Sequence, residues 1–111
     1  MEAMSRVLGV EHPDTLTSMG NLASTYCDQG RWTEAEKLDV QVMEARSRVL
    51  GAEHPATLTS MINLAYTWIS QERDTEAITL MQHAVNLSTE TLGPDHPDTV
   101  TSLAILREWQ I

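Results

Sequence analysis

One twelve-residue pattern occurs three times in this chain, and each copy begins 42 residues after the previous one. The copies begin at Leu8, Leu50 and Leu92, and the middle copy reads Leu-Gly-Ala-Glu-His-Pro-Ala-Thr-Leu-Thr-Ser-Met. A fixed period between about 20 and 50 residues is the signature of proteins built from stacked structural repeats. The spacing therefore restricts the fold to a series of similar units, each with the same order of secondary structure.

The spacing of apolar residues inside each unit predicts helices. Leu16, Met19 and Leu22 recur every three or four residues after a His-Pro pair, as on one face of an amphipathic helix. A second periodic stretch begins soon after Gly30, so the two helices are expected to form an antiparallel hairpin. The second unit follows the same plan, except that Glu72 occupies the position of Gly30.

These patterns predict an all-α protein in which helical hairpins stack as a single array over residues 1–111. The predicted parts are the tail of a preceding helix at 1–9, a first repeat at 13–51, a second repeat at 55–93 and a final unpaired helix at 97–111. The chain is thus expected to begin inside a repeat, like a segment of a longer array.

The two ends of such a stack are expected to present apolar surface. A single hairpin cannot bury its apolar face alone, and only a neighbouring hairpin covers it. Open ends favour self-association or the exchange of helices between chains. The residues predicted for self-association are Met4, Val7 and Leu8 at the front and Leu103, Leu106 and Trp109 at the back.

Charge and composition exclude several classes of partner. The chain has 7 basic and 16 acidic residues and a net charge of -9, which argues against nucleic acid because phosphate contacts need clustered Lys or Arg. No stretch approaches the ~20 apolar residues of a membrane-spanning helix, so no membrane partner is expected. Cys27 is the only cysteine, and an opening segment without an apolar run is unlike a signal peptide. Together these features predict a cytoplasmic protein.

No residue pattern indicates catalysis, a cofactor or a metal site. His12, His54 and His96 fall in different repeats, whereas zinc needs nitrogens that converge at about 2.0–2.1 Å from one metal. Each of these histidines is instead expected to support the start of a helix. The acidic residues are scattered along helix faces and are expected to be solvated. Cys27 has no partner that would activate a thiol and is expected to pack or to line a groove. The chain is therefore predicted not to be an enzyme.

The run Asn21-Leu22-Ala23-x-x-Tyr26-x-x-x-Gly30-x-Trp32-x-x-Ala35 resembles the tetratricopeptide repeat. The 42-residue spacing and the Leu-Gly-x-Glu-His-Pro lead-in are similar to the longer repeats of kinesin light chains and of arrays at the C-terminal end of fungal and bacterial signalling proteins. The resemblance covers essentially the whole chain and implies a right-handed α-solenoid. In the last helix Ile105 and Arg107 replace the family's Asn and Ala, so binding residues are not transferred to it.

The resemblance also implies a concave groove, lined by the first helix of each hairpin, that binds a peptide segment of another protein. Asn21 and Asn63 are implied to hold the peptide backbone, because an amide side chain both donates and accepts hydrogen bonds. Their alternative role is to bond a neighbouring helix or loop, and the alternative for Tyr66 is core packing. The predicted groove residues are Thr17, Gly20, Asn21, Ser24 and Asp28 on one helix and Thr59, Ile62, Asn63, Tyr66 and Ser70 on the next.

Two hypotheses for the function follow. The first is a non-catalytic scaffold that binds a peptide segment in the groove. The second is a structural module that assembles with itself or with further repeats through its open ends, as part of a longer array in a signalling protein.

Overall fold

The computed structural model describes residues 13–110, and that part of the chain contains only α-helices and short connections. In chain order the helices are α1 (Pro13–Asp28), α2 (Trp32–Leu50), α3 (Pro55–Ser70), α4 (Asp74–Leu92) and α5 (Pro97–Trp109). Helices occur where the apolar periodicity predicts them, and the predicted all-α class is confirmed. Several sequence predictions lie outside the described residues. They are the self-association candidates Met4, Val7 and Leu8, the helix tail at 1–9, and the helix-start role of His12.

The helices stack in chain order. Each helix packs against the one before and the one after it, and α1 also contacts α3. The connections are so short that consecutive helices run antiparallel, which makes α1–α2 and α3–α4 hairpins. The resulting body measures 42 × 30 × 18 Å. Because α1 and α3 are the first helices of their hairpins and lie side by side, their outer surfaces form one continuous face.

The core runs along the stack as adjoining apolar clusters. Leu16 and Met19 of α1 pack with Val42 and Ala45 of α2. A further cluster joins three helices through the buried side chains of Ala65 on α3, Met81 and Val85 on α4, and Leu106 on α5. Met43 of α2 packs against the cluster that contains Leu58 and Met61 of α3, so the two hairpins also bury apolar side chains against each other, as repeat proteins require.

The burial of Leu106 corrects the prediction that this residue presents apolar surface at the end of the array. Only 2% of Leu106 is exposed. Leu106 is the third copy of the position held by Leu22 and Leu64, and α5 turns this position toward α3 and α4. The other two residues predicted to present apolar surface at this end, Leu103 and Trp109, are half-buried against the same cluster. The apolar side chain that α5 exposes most is Val100, at 52%.

His54 and His96 support helix starts, as predicted. Each histidine is the N-cap residue of its helix, and its Nδ1 accepts a hydrogen bond from the backbone N–H two residues later, at 3.0 Å for Ala56 and 3.1 Å for Asp98. A proline follows each histidine at the first turn, where the missing backbone N–H removes no helical hydrogen bond. The repeated His-Pro pair therefore starts α3 and α5.

The turns inside the two hairpins have the same backbone conformation but different residues. Gly30 has φ of +76° and Glu72 has φ of +63°. In each turn the next residue's N–H bonds a carbonyl of the preceding helix, Arg31 to Tyr26 at 2.8 Å and Arg73 to Trp68 at 2.9 Å. The left-handed region disfavours residues that carry a Cβ, so the second turn holds a strained glutamate.

Replacing this glutamate with glycine is expected to stabilise the protein. In Glu72→Gly, relief of about 1–2 kcal/mol of left-handed strain outweighs the roughly 0.5–1 kcal/mol entropic cost of glycine. We expect the free energy of unfolding in urea to rise by about 1 kcal/mol. The matched change Gly30→Glu, at a position where an added Cβ meets no atom within 4 Å, should lower it through backbone strain alone. A loss of stability in Glu72→Gly would contradict the strain assignment.

Candidate peptide-binding groove

A polar cleft lies where α1 and α3 pass each other, and its volume is about 260 Å³. Helix α2 closes the cleft from below through one side chain. The lining residues are Ala23, Ser24, Cys27 and Asp28 from α1, Asp39 from α2, and Asn63, Tyr66, Thr67 and Ser70 from α3. Cys27 Sγ and Ser70 Oγ approach to 4.0 Å across it. The cleft is therefore a joint between two repeats and belongs to neither hairpin alone.

Half of the predicted groove residues meet in this cleft, namely Ser24, Asp28, Asn63, Tyr66 and Ser70. Thr59 and Ile62 instead line a smaller depression of about 140 Å³ that α3 shares with α4 and α5. Thr17 and Asn21 are exposed on α1, and Gly20 has open space above it. None of these last three lines either depression. The polar face of α1 therefore extends beyond the cleft toward the start of the helix.

The side-chain amides of Asn21 and Asn63 make no hydrogen bond to any of residues 13–110. Asn63 is half-buried in the cleft, and its hydrogen bonds to the described residues are made by its backbone, whose carbonyl lies 3.2 Å from the Thr67 hydroxyl. Asn21 likewise bonds through its backbone, and its carbonyl accepts from the Thr25 hydroxyl at 3.1 Å. The alternative role, in which each amide bonds a neighbouring helix or loop, is not seen in this part of the chain. Both amides remain able to donate and accept.

Tyr66 and Trp109 extend the cleft wall toward the last helix. Their rings meet edge to face, with centroids 5.3 Å apart and an interplanar angle of 89°. Tyr66 is 43% exposed, so core packing does not account for it. Trp109, predicted as a self-association residue, lies beside the cleft and holds the tyrosine ring. An exposed aromatic ring held in one orientation is a common feature of surfaces that bind protein segments.

Asp39 and Thr67 line the cleft although the sequence patterns did not reveal them, and Asp39 corrects the expectation that the acidic residues are solvated. It is only 4% exposed, and its Oδ2 accepts a 2.6 Å hydrogen bond from the Thr67 hydroxyl. Burial raises the pKa of this carboxyl, the Thr67 hydrogen bond opposes the rise, and nearby Glu36 adds to it. Comparing the repeats would have drawn attention to it, because the equivalent residue is the buried Met81.

An arginine in the second hairpin forms an ion pair with the first hairpin. Arg73, in the α3–α4 turn, reaches back to the Glu36 carboxylate of α2 at 2.8 Å. The same guanidinium pairs with Glu76 at 2.7 Å and lies over the Trp68 ring, 4.9 Å from its centroid. Partial burial is the largest single effect on the pKa of Glu36 and acts to raise it, but the hydrogen bonds and positive charge of Arg73, with smaller contributions from Trp68 and Gln71, together hold that pKa below its ordinary value. This ion pair spans the two repeats between which the cleft lies.

The described residues contain no group of three His, Cys, Asp or Glu side chains placed to hold a metal ion. Between Pro13 and Gln110, no helix has the length and apolar character needed to cross a membrane.

Stacked helical hairpins with a polar cleft along the first helices define an α-solenoid. The tetratricopeptide repeat model matches residues 15–56 and 57–98, and the chain belongs to that family. Repeats of this family generally mediate protein–protein interactions and are typically non-catalytic scaffolds.

Solved structures agree with this assignment. A kinesin light chain-like protein of Podosopora anserina with nearly identical TPR-like repeats superimposes with a TM-score of 0.79, and a single-substitution variant of it with 0.82. Each is 31% identical to this chain, and each match covers 96% of this chain and 52% of the other. This chain therefore spans about half the length of the structures it matches. A search of curated proteins found no significant match.

Breaking the inter-repeat ion pair is expected to lower the free energy of unfolding by an amount that depends on pH. The pKa of Glu36 is lowered on folding, so its pairing with Arg73 stabilises the protein above the unfolded carboxyl value of about 4.3 and is lost as the pH falls through the folded value. Glu36→Gln should therefore be less stable than the wild type at pH 7, and the difference should shrink below about pH 4 in urea titrations.

Glu44→Gln, which changes an exposed glutamate on the same helix, serves as the control for this measurement. It should follow the wild-type curve across the whole range. An equal loss at all pH values in Glu36→Gln would show that the ion pair does not stabilise the stack.

Proposed function

We propose that this chain is a non-catalytic interaction module that binds an extended peptide segment of another protein along the face formed by α1 and α3. The supporting observation is the cleft between the two helices, in which Asn63 is half-buried and its side-chain amide has no hydrogen bond to the described residues. A polar group left without a partner on folding gains most from a ligand that completes its hydrogen bonds. A peptide backbone offers a donor and an acceptor at each residue.

The neighbours of Asn63 suit an extended segment. Ser24 and Ser70 place hydroxyl groups on opposite walls of the cleft, and the Tyr66 ring offers an apolar surface for a peptide side chain. Asn21 continues the polar face of α1 beyond the cleft. In this proposal Asn63 holds the backbone at the cleft, and Asn21 holds it further along α1.

We further propose that the module acts in the cytoplasm as part of a longer repeat array. A free thiol at Cys27, which is the only cysteine of the chain, suits a reducing compartment. The matched repeat proteins are about twice as long as this chain, and further repeats would lengthen the groove.

Peptide titration tests the groove directly. Peptides selected on the wild-type protein from a random library should bind about tenfold more weakly to the double variant Asn21→Ala/Asn63→Ala, because each change removes one hydrogen-bonding amide worth roughly 0.5–1.5 kcal/mol. Fluorescence anisotropy gives the affinities. Circular dichroism should show unchanged helicity, since neither amide bonds any of residues 13–110.

Asn86→Ala provides the matched control, because this asparagine lies exposed on α4, where it bonds Gln82 at 3.0 Å. Its affinity for the selected peptides should equal that of the wild type. Unchanged binding in the double variant would exclude the two asparagines as the groove's backbone contacts.

A second candidate function, self-association, is supported by the outer surface of α5. Within residues 13–110 no helix covers that side, and it carries Val100, which is 52% exposed, close to the half-buried Leu103. An apolar strip on the last helix of a stack can pack against the same strip of a second copy.

Sedimentation velocity over a hundredfold range of concentration checks this second function. The wild type should form a dimer at high concentration, and Val100→Glu should remain monomeric because it places a charge in the contact. Val49→Glu, at a similarly exposed apolar residue on α2, should still dimerise. A wild type that stays monomeric throughout would rule out this contact between copies.

A further inference from the structure

The cleft floor holds a carboxylate that the rest of the described chain does not neutralise. Asp39 is 4% exposed, and its single described hydrogen bond is the one from Thr67 Oγ1 to Oδ2. No Lys, Arg or His nitrogen of residues 13–110 lies within 4.0 Å of it. A buried charge without an opposite charge is unfavourable, and buried charges in proteins are ordinarily paired.

The equivalent position of the second repeat shows that folding does not require this charge. In the second repeat the equivalent residue is Met81, which is fully buried in the apolar cluster with Ala65 and Val85. A thioether therefore fills the corresponding space in a hairpin of the same design. Asp39 differs from Met81 in that it lines an open cleft, where a ligand can reach its carboxylate.

The rest of the cleft favours a cation with an apolar stem. Asp28 adds a second carboxylate at the exposed rim, and the lining contains no basic residue. The exposed Tyr66 ring provides surface for methylene groups, and the hydroxyls of Ser24 and Ser70 can accept hydrogen bonds from further N–H groups. At about 260 Å³ the cleft is smaller than the roughly 300–1,000 Å³ of typical small-molecule sites, and it suits a single side chain.

We propose that this cleft is a specificity pocket for a lysine or arginine side chain of the bound peptide, whose cationic end pairs with the Asp39 carboxylate. This inference rests on the proposed peptide-binding function and adds the chemical class of the ligand. The net charge of -9 supports it, because an acidic surface attracts basic segments before they dock.

A peptide library distinguishes this pocket from the groove as a whole. Random twelve-residue peptides displayed on phage are selected on the wild type and on Asp39→Asn, whose amide oxygen can still accept from Thr67. The wild type should enrich peptides with Lys or Arg at one fixed position, and Asp39→Asn should select peptides without that preference. Dependence on Asn63 should persist in both sets.

Affinities for one selected basic peptide provide the quantitative test. Asp39→Asn should weaken binding roughly 30-fold or more, as expected when one member of a buried charge pair is removed. Asp28→Asn, at the exposed rim of the same cleft, should weaken binding about fivefold or less. Replacing the basic residue of the peptide with norleucine should abolish the difference between wild type and Asp39→Asn.

Stability measurements separate loss of binding from loss of folding. Burial raises the pKa of Asp39 on folding, so its contribution to stability is full below the unfolded value and is lost as the pH rises through the folded value. The other titratable groups that lie close to Asp39 in space are Glu36 on α2, Asp28 and Cys27 on α1, and Tyr66 on α3. Asp39→Asn keeps all four, and it should be at least as stable as the wild type at pH 7, with its advantage shrinking at acid pH.

Each outcome of the selection is decisive. Peptides that depend on Asn63 but show no basic preference would overturn the specificity pocket and leave the groove function intact. A wild type that selects no peptide at all would overturn both proposals.

Discussion

The burial of each hairpin's apolar stripe against the next hairpin is the interaction on which the whole structure depends. In the described chain no cluster of buried side chains is complete within one helix, and the cluster around Met81 needs α3, α4 and α5 together. Stability in such a stack comes from interfaces between nearest neighbours, so the last hairpin is stable only while a following helix covers it. Leu106 supplies that cover for the second hairpin.

This dependence on neighbours also creates the cleft that we propose as the binding site. The cleft exists because α1 and α3 pack side by side, and its floor comes from α2. Any change in the angle between the hairpins alters the width of the cleft. The Arg73–Glu36 ion pair joins the two hairpins, so it affects the shape of the cleft as well as the stability of the fold. The groove is thus a property of the joint between repeats, and a single hairpin of this sequence would not contain it.

Sequence periodicity predicted the helices and their order because a 3.6-residue apolar stripe and a 42-residue repeat are properties that every unit shows separately. The same spacing placed Asn63, Tyr66 and Ser70 on one face of α3, and the resemblance to the tetratricopeptide repeat implied that this face lines a groove. The burial of Leu106 was missed because the apolar spacing of a helix without a following partner does not indicate which of its apolar residues the preceding helices cover. Asp39 was missed because an acidic residue amid a helix is ordinarily solvated, and only packing by a neighbouring unit reverses that expectation.

The differences between two nearly identical repeats therefore carry more information about function than their similarities. Residues shared by both units, such as the capping histidines and the stripe leucines, are needed wherever a hairpin starts or stacks. Asp39 in place of the methionine of the next repeat satisfies neither need, since a buried carboxylate weakens packing that a thioether would strengthen. Such a residue at the floor of an open cleft is most simply explained by a ligand that brings the missing positive charge.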